Sequence, residues 1–326
     1  MTLLWLSLGI FLLLAGGTGL VSGSSRLAAR LGISPALVGL TVVAFGTSAP
    51  ELVVNVIAAL EDQTSLAFGN VAGSNLANLG LVLGVAAVIR PVNLEGQLVR
   101  RELALLMLVT SMLAVMVIDA ALSEGETRIS RSDGLILLLM FSTVIYISLG
   151  DLFRSSEDPL VLRAKGLEQA MQPTEATPAG RDWLYIGTGV LGLLVGGQLT
   201  ITHGAELASL LGMPPVIIGL LVVALGTSMP ELVTSVIAAM RGEADLCVGN
   251  VIGSNLFNIL FVLPISALVR PLPIPSGGLL DVVLSLVLAV AIVLVFLTGK
   301  ALMGRLTGLL FVLAYVAYMS YRVLGA

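Results

Sequence analysis

Residues 39–60 read GLTVVAFGTSAPELVVNVIAAL, and residues 219–240 read GLLVVALGTSMPELVTSVIAAM. Both segments are long and apolar enough to cross a membrane, yet each carries a proline and a glutamate side by side near its middle. Proline has no N–H group and its ring crowds the carbonyl four residues earlier, so Pro50 predicts a kinked or unwound helix at Gly46. The kink would free carbonyls around residues 44–47, and Glu51 would lie just beyond them.

The composition is typical of a polytopic membrane protein, since 57% of the 326 residues are hydrophobic, 11% are charged and the mean hydropathy is +1.06. A membrane-spanning helix needs about 20 apolar residues. Ten stretches are that long: residues 3–22, 34–60, 67–89, 102–120, 133–150, 183–203, 214–240, 247–269, 280–298 and 302–321. The first is interpreted as a retained span and not a signal peptide, because no Lys or Arg precedes it. The sequence therefore predicts an all-α protein with ten transmembrane helices.

The chain contains an internal repeat. Residues 39–91 and 219–271 align without a gap, and 30 of these 53 positions are identical. Each half holds five predicted spans, so the second half would enter the membrane from the opposite side, as in the inverted repeats of many secondary transporters. We predict two five-helix repeats, residues 1–150 and 183–326, in which helices 2 and 7 are broken. A polar, proline-containing linker, residues 151–182, would join them.

The basic residues predict an orientation for this arrangement. With the N-terminus outside, 12 of the 16 Lys and Arg residues lie on the cytoplasmic side and 4 lie outside. Cytoplasmic loops of membrane proteins carry an excess of Lys and Arg. Both termini are therefore expected outside, and the linker is expected in the cytoplasm.

The helix that follows each predicted break carries polar residues on one face. Four-residue spacing aligns Asn70, Ser74 and Asn78 in the first half, and Asn250, Ser254 and Asn258 in the second. Together with the glutamates, the motif serines and the free carbonyls, they form an all-oxygen ligand set. Such a set suits hard cations such as Ca²⁺ and Na⁺, whereas Zn²⁺ or Cu⁺ prefers nitrogen or sulfur. Two ionised glutamates would balance one Ca²⁺ or two Na⁺.

Structural explanations exist for parts of this pattern. Proline kinks are tolerated in membrane helices for structural reasons, and Ser and Asn side chains often only join neighbouring helices. A glutamate at mid-membrane is different, because its insertion is costly and a functional role is the default interpretation. Two such glutamates, at breaks related by the repeat, favour an ion site. The glycines at positions 9, 16 and 17, and their counterparts 180 residues later, are expected to allow close helix packing.

These segments resemble the sodium/calcium exchanger family, within the cation/calcium antiporter superfamily, over essentially the whole chain. The motifs GLTVVAFGTSAPEL with GNVAGSNLAN, and GLLVVALGTSMPEL with GNVIGSNLFN, carry the resemblance. It implies a bacterial or archaeal-type antiporter in the plasma (inner) membrane of a prokaryote, exchanging Ca²⁺ for Na⁺ by alternating access to one central site. It also implies that helices one and six slide past the other eight, presenting smooth glycine-bearing surfaces to them.

The resemblance implies ion ligands at twelve positions. They are the carbonyls of Ala44, Thr47, Ala224 and Thr227, the hydroxyls of Ser48, Ser74, Ser228 and Ser254, the carboxylates of Glu51 and Glu231, and the side chains of Asn78 and Asn258. Some exchangers carry Asp at the position of Asn258. Here both halves carry Asn, so the ion stoichiometry and the coupling ion stay open.

The alternatives are a Ca²⁺/H⁺ or K⁺-dependent antiporter of the same fold and a cation channel. The channel fits less well, because two inverted breaks predict a site that is gated from alternate sides. A receptor or scaffold has no support in the sequence. We expect no enzyme activity, no permanently bound cofactor and no nucleic-acid partner. The expected partners are the transported ions and the lipid bilayer, and the oligomeric state stays open.

Overall fold

The computed structural model describes residues 1–93, 97–122, 127–155, 179–212, 224–297 and 302–324. Most of these residues are helical, which confirms the predicted helical membrane fold. The helices of the first half are α1 (Thr2–Leu31), α2 (Pro35–Thr47), α3 (Ala49–Leu60), α4 (Thr64–Ile89), α5 (Gln97–Leu122) and α6 (Arg131–Ser155). Those of the second half are α7 (Ala179–Leu210), α8 (Ala224–Thr227), α9 (Met229–Arg241), α10 (Ala244–Val269), α11 (Gly278–Leu297) and α12 (Arg305–Leu324).

Several of these helices are suited to a bilayer. Within the described residues, seven are long and apolar enough to cross a membrane, or eight if the bent pair α2–α3 counts as one span. The most buried are α4 and α10, with 72% and 83% of their most apolar windows inside the protein. They form the centre of the bundle, and the other helices surround them. Of the predicted seventh span, residues 214–223 lie outside the described part of the chain.

Both motif segments change direction at a serine. Helix α2 ends at Thr47, Ser48 adopts φ −89° and ψ 6°, and α3 leaves at an angle of 42°. Pro50 lies in the first turn of α3, where its missing N–H needs no helical acceptor. Ser228 has nearly the same backbone angles, φ −86° and ψ 6°, between α8 and α9. The proline and serine therefore produce the same local geometry in each half.

The break frees fewer carbonyls than the sequence suggested. The carbonyl of Ala44 accepts the backbone N–H of Ser48 at 3.0 Å and the hydroxyl of Thr47 at 3.3 Å. The expectation that all carbonyls around residues 44–47 are freed is therefore wrong for Ala44, because the chain keeps one more helical turn before it bends. The Thr47 hydroxyl has a single hydrogen, which it can donate instead to Asn250 Oδ1 at 3.1 Å, and one lone pair of the Ala44 carbonyl is then available to a cation.

Features that the sequence analysis did not anticipate recur at equivalent positions of the two halves. Wide π-helical turns cover Asn78–Val82 in α4 and Asn258–Val262 in α10. Such turns are rare in proteins, and those that occur often lie at functional sites. In each half the turn begins at the asparagine expected to bind ions.

In the described part of the chain, four two-residue strands join the halves. They are β1 (Val92–Asn93), β2 (Arg128–Ile129), β3 (Leu272–Pro273) and β4 (Leu302–Met303). Strand β1 pairs antiparallel with β4, and β2 pairs antiparallel with β3. Strand β1 follows α4, the central helix of the first half, and β4 precedes α12, the last helix of the second half. In the same way, β3 follows α10 and β2 precedes α6.

Glycines bring α1 and α7 into backbone contact. A β-carbon added at Gly16 would lie 2.7 Å from the carbonyl oxygen of Gly189, and one at Gly196 would lie 2.7 Å from the backbone nitrogen of Leu13. This is the small-residue packing common between membrane helices. The glycines at positions 9, 16, 189 and 196 therefore join α1 to α7. The expectation that they present a smooth surface to the other helices is wrong for these four positions. Gly17 and Gly197 instead face α9.

Candidate functional site

The two motif glutamates lie at the centre of the bundle. Glu51 is in the first turn of α3, Glu231 is in the first turn of α9, and both side chains are 0% exposed. The free N–H groups and the positive end of the helix dipole favour a carboxylate at a helix N-terminus. Buried charges of this kind require compensation, either by a cation or by a proton.

Of the two motif glutamates, only Glu231 accepts hydrogen bonds from hydroxyl groups of the described residues. Oε1 of Glu231 accepts hydrogen bonds from Ser48 Oγ at 2.9 Å and from Ser254 Oγ at 3.5 Å. Neither oxygen of Glu51 has a hydrogen-bond partner among the described residues, and neither does the hydroxyl of Ser228. The pocket is therefore less symmetric than the repeated sequence: Ser48 crosses to the glutamate of the other half, and Ser228 does not.

Buried oxygens without a hydrogen-bond partner are concentrated at the expected ligands. Among the described residues, seven such oxygens belong to expected ligands: both carboxylate oxygens of Glu51, Oε2 of Glu231, the hydroxyls of Ser74 and Ser228, and the side-chain oxygens of Asn78 and Asn258. Others lie outside this set, on Ser24, Asn75, Thr234 and Asn255. Buried polar atoms in proteins are normally hydrogen-bonded, so each exception calls for an explanation. A cage of oxygens that coordinates a hard cation supplies one here.

Helix crossings bring these groups together from both halves. The π turn that begins at Asn78 packs against α9, which carries Glu231. The turn that begins at Asn258 packs against α3, which carries Glu51. Eleven of the twelve expected ligand residues are buried. The twelfth is Ala224, at the start of α8, of which the structure describes only the backbone. The structure thus places the expected ligands on helices that meet at the centre, while their binding of ions stays a prediction.

A second layer of asparagines holds the broken helices in place. The hydroxyl of Thr47 donates to Asn250 Oδ1 at 3.1 Å, and that of Thr227 donates to Asn70 Oδ1 at 3.2 Å. Each motif threonine is therefore fixed by an asparagine of the opposite half. This orientation also fixes the threonine backbone carbonyls that are expected to bind ions.

The asparagines are anchored in turn. Asn70 Nδ2 donates to Asn55 Oδ1 at 2.8 Å, and Asn250 Nδ2 donates to Ser235 Oγ at 2.9 Å. Asn70 and Asn250 lie on the predicted polar faces but are not among the twelve expected ligands. Asn55 and Ser235 were not predicted as functional residues, although their position one turn after each glutamate is a usable signal.

The donor set restricts the kind of ion. Across the described ranges, no group of three or more His, Cys, Asp or Glu side chains could hold a metal ion. The pocket must therefore rely on two carboxylates and on neutral oxygens from hydroxyls, amides and carbonyls. Oxygen ligands of this type suit Ca²⁺ and Na⁺.

Comparison with known proteins gives a family match over nearly the whole chain. The family model described as sodium/calcium exchanger protein matches residues 1–150 and 182–324. Residues 151–181 lie between the two matched segments.

Individual relatives match over similar lengths. The putative antiporter CaxA of Alkalimonas amylolytica is 34% identical over 95% of this chain and 95% of its own length. The sodium/calcium exchanger MaX1 of Methanosarcina acetivorans is 30% identical over 96% of each chain. A solved structure of the sodium-calcium exchanger NCX_Mj superposes with a TM-score of 0.79 at 27% identity and covers 98% of both chains.

Proposed function

Since the chain belongs to the sodium/calcium exchanger protein family, we propose that it exchanges Ca²⁺ for Na⁺ through one central all-oxygen site. The protein is a multi-pass membrane antiporter, and in our proposal the pocket opens to the two sides of the membrane in turn. The observation that carries the proposal is the pair of fully buried glutamates, one directly after each helix break. Unpartnered buried oxygens on the neighbouring helices support it.

The twelve residues named from the sequence are the proposed ligands. The carboxylates of Glu51 and Glu231 supply the charge, and together they neutralise one Ca²⁺. Their neutral partners are the serine hydroxyls, the side chains of Asn78 and Asn258, and the carbonyls of the two broken helices. Oxygen donors of these three kinds form the usual Ca²⁺ coordination shell in proteins.

For the membrane arrangement we propose ten transmembrane helices in two inverted repeats, residues 1–150 and 183–326, with α2–α3 and α8–α9 as the broken spans. The matching backbone angles at Ser48 and Ser228 support this arrangement, as do the two equivalent strand pairs. The distribution of basic residues favours both termini outside and residues 151–182 in the cytoplasm. The bacterial and archaeal relatives favour the plasma membrane of a prokaryote.

We infer an electrogenic exchange of three Na⁺ for one Ca²⁺, as the family resemblance favours. Three Na⁺ would leave one positive charge in excess of the two carboxylates. The carbonyls of Ala44 and Thr47, and those of their counterparts Ala224 and Thr227, are the dipoles that would stabilise this excess. The reversal potential of Ca²⁺ flux, measured in vesicles clamped with K⁺ and valinomycin, tests the stoichiometry. Na⁺-dependent flux that ignores the membrane potential would establish two-for-one exchange instead.

Exchange of Ca²⁺ for H⁺ is the second candidate. It is favoured by Glu51, because neither of its carboxylate oxygens has a hydrogen-bond partner among the described residues. A proton can neutralise such a group as well as a cation can. In that case Glu51 would carry the proton, and Na⁺ would have no effect on Ca²⁺ flux.

The deciding experiment is ⁴⁵Ca²⁺ uptake into proteoliposomes that contain the purified protein. We expect uptake driven by an outward Na⁺ gradient and no uptake driven by an H⁺ gradient of the same size. Uptake that responds only to the H⁺ gradient would favour the second candidate. Uptake that needs no counter-ion on the opposite side would indicate a channel, because only an exchanger requires one.

A further inference from the structure

A groove of about 610 Å³ lies between helices from different halves of the protein. One side is a single face of α5, which runs from Arg100 through Met107 to Ser111. The other side is the end of α11, with Val293, Phe296 and Leu297. Apart from Arg100 at one end and Ser111 at the other, the lining is apolar. The groove therefore has a charged end and a hydrocarbon body.

The length of the groove matches one leaflet of a bilayer. Eleven helical steps from Arg100 to Ser111 span about 16 Å at 1.5 Å per residue. The hydrocarbon core of a bilayer is about 30 Å thick, so one leaflet supplies about half of that. Both helices are long and apolar enough to cross the membrane. A single acyl chain of one leaflet would fit along the groove.

The charged end of the groove is arranged to receive an anion. The guanidinium of Arg100 lies 4.9 Å from the centre of the Phe296 ring, so the side chain reaches across the groove from α5 to α11. Arg100 is exposed, and the ion pairs recorded among the described residues do not use it. A guanidinium can stack on an aromatic ring and still donate two parallel hydrogen bonds to a phosphate.

We propose that this groove is a binding site for one bilayer phospholipid, with the phosphate at Arg100 and one acyl chain between α5 and α11. The site is separate from the ion pocket, and its existence does not depend on which ions the protein exchanges. Because α5 belongs to the first half and α11 to the second, the bound lipid fills a seam between the two repeats.

Native mass spectrometry of the full-length protein in detergent, with added dioleoylphosphatidylglycerol, tests the proposal. We expect one tightly retained lipid on the wild type and about 10- to 150-fold weaker retention by Arg100→Gln, since charge-assisted hydrogen bonds are worth about 1.5–3 kcal/mol and each 1.4 kcal/mol is about a factor of ten. Ala104→Phe should also lose the lipid, because it fills the groove and leaves the arginine in place. Dioleoylglycerol, which lacks the phosphate, should not be retained, and inorganic phosphate should not displace the lipid.

Two variants control for general effects of charge and bulk. Arg305→Gln removes an exposed arginine at the start of α12, and Val115→Phe enlarges a 64% exposed residue of α5 beyond the groove. Both should retain the lipid as the wild type does. Equal retention by Arg100→Gln, Ala104→Phe and the wild type would overturn the proposal. It would equally be overturned if Arg305→Gln lowered retention as much as Arg100→Gln does.

Discussion

Replacing Glu51 by Gln removes one negative charge from the pocket and keeps the shape of the side chain. Glu51 is fully buried, and neither of its carboxylate oxygens has a hydrogen-bond partner among the described residues, so only a bound ion is expected to respond to the change. With a neutral amide at this position, bound Ca²⁺ would keep one uncompensated positive charge inside apolar helices. A charge at the centre of a membrane helix costs about 2.5–3.5 kcal/mol on insertion scales. Ca²⁺ affinity should therefore fall about 60- to 300-fold, at about 1.4 kcal/mol per factor of ten.

The assay is ⁴⁵Ca²⁺ uptake into Na⁺-loaded proteoliposomes over a range of external Ca²⁺ concentrations. The half-saturating Ca²⁺ concentration should rise by this factor for Glu51→Gln, and uptake at low Ca²⁺ should disappear. Glu61→Gln is the matched control, because Glu61 is an exposed acid at the end of the same helix. It should transport as the wild type does.

We expect Glu51→Gln to preserve or raise thermal stability, although it lowers Ca²⁺ affinity. In ion-free detergent the Glu51 carboxylate is buried without a compensating donor among the described residues, so its replacement should preserve or raise the melting temperature. Glu231→Gln should gain less, because Ser48 and Ser254 already donate to that carboxylate. A folded Glu51→Gln protein that exchanges Ca²⁺ with wild-type affinity would refute the ion pocket.

The packing of α1, the threonine network and the orientation each give a further prediction. Gly189→Ala should lower the melting temperature, because the new methyl group would lie 2.6 Å from a backbone nitrogen of α1 and overpacking costs about 1–3 kcal/mol. Gly187→Ala, which meets nothing within 4 Å, should not, and equal melting of the two would contradict this packing. Thr47→Val leaves the buried amide oxygen of Asn250 without its donor, at a cost of about 1–3 kcal/mol, so half-maximal Ca²⁺ uptake should need at least severalfold more Na⁺. Thr47→Ser should restore the wild-type Na⁺ requirement. If it does not, the hydroxyl is not the cause of the effect. A cysteine at Ser155, in a Cys247→Ser background, should react with an impermeant maleimide only in inside-out vesicles, and rapid labelling of intact cells would reverse the orientation.

The helical membrane fold and the presence of a bend in the first motif segment were accessible from the sequence because their causes are local, although the bend lies at Ser48 and not at Gly46. The bend at Ser48 follows from Pro50, whose ring and missing N–H act within four residues. The high apolar content fixes the environment of the long helices in the same direct way. The burial of Glu51 follows once its segment is known to cross a membrane.

The hydrogen bonds across the pocket were not accessible from the sequence, because their causes are not local. Thr47 and Asn250 are 203 positions apart, and only the crossing of α2 and α10 brings them together. The bond from Ser48 to Glu231 has no equivalent between Ser228 and Glu51 among the described residues, so near-identical motifs give different contacts. Whether such a hydrogen bond forms depends on small differences in helix position, and these differences cannot be read from the repeated sequence.

Two buried glutamates also explain how binding would be coupled to exchange. In the proposed mechanism an empty pocket carries two negative charges, and closing it within apolar helices costs several kcal/mol for each uncompensated ion. A pocket that holds Ca²⁺ is neutral, so it can close and reopen on the other side. After Ca²⁺ leaves, the protein cannot return until Na⁺ replaces it, because Na⁺ compensates the two carboxylates and the helix carbonyls stabilise the one positive charge that three Na⁺ leave in excess. Coupling then depends on the charge balance of the pocket, and the neutral ligands that surround Glu51 and Glu231 decide which ion supplies that charge.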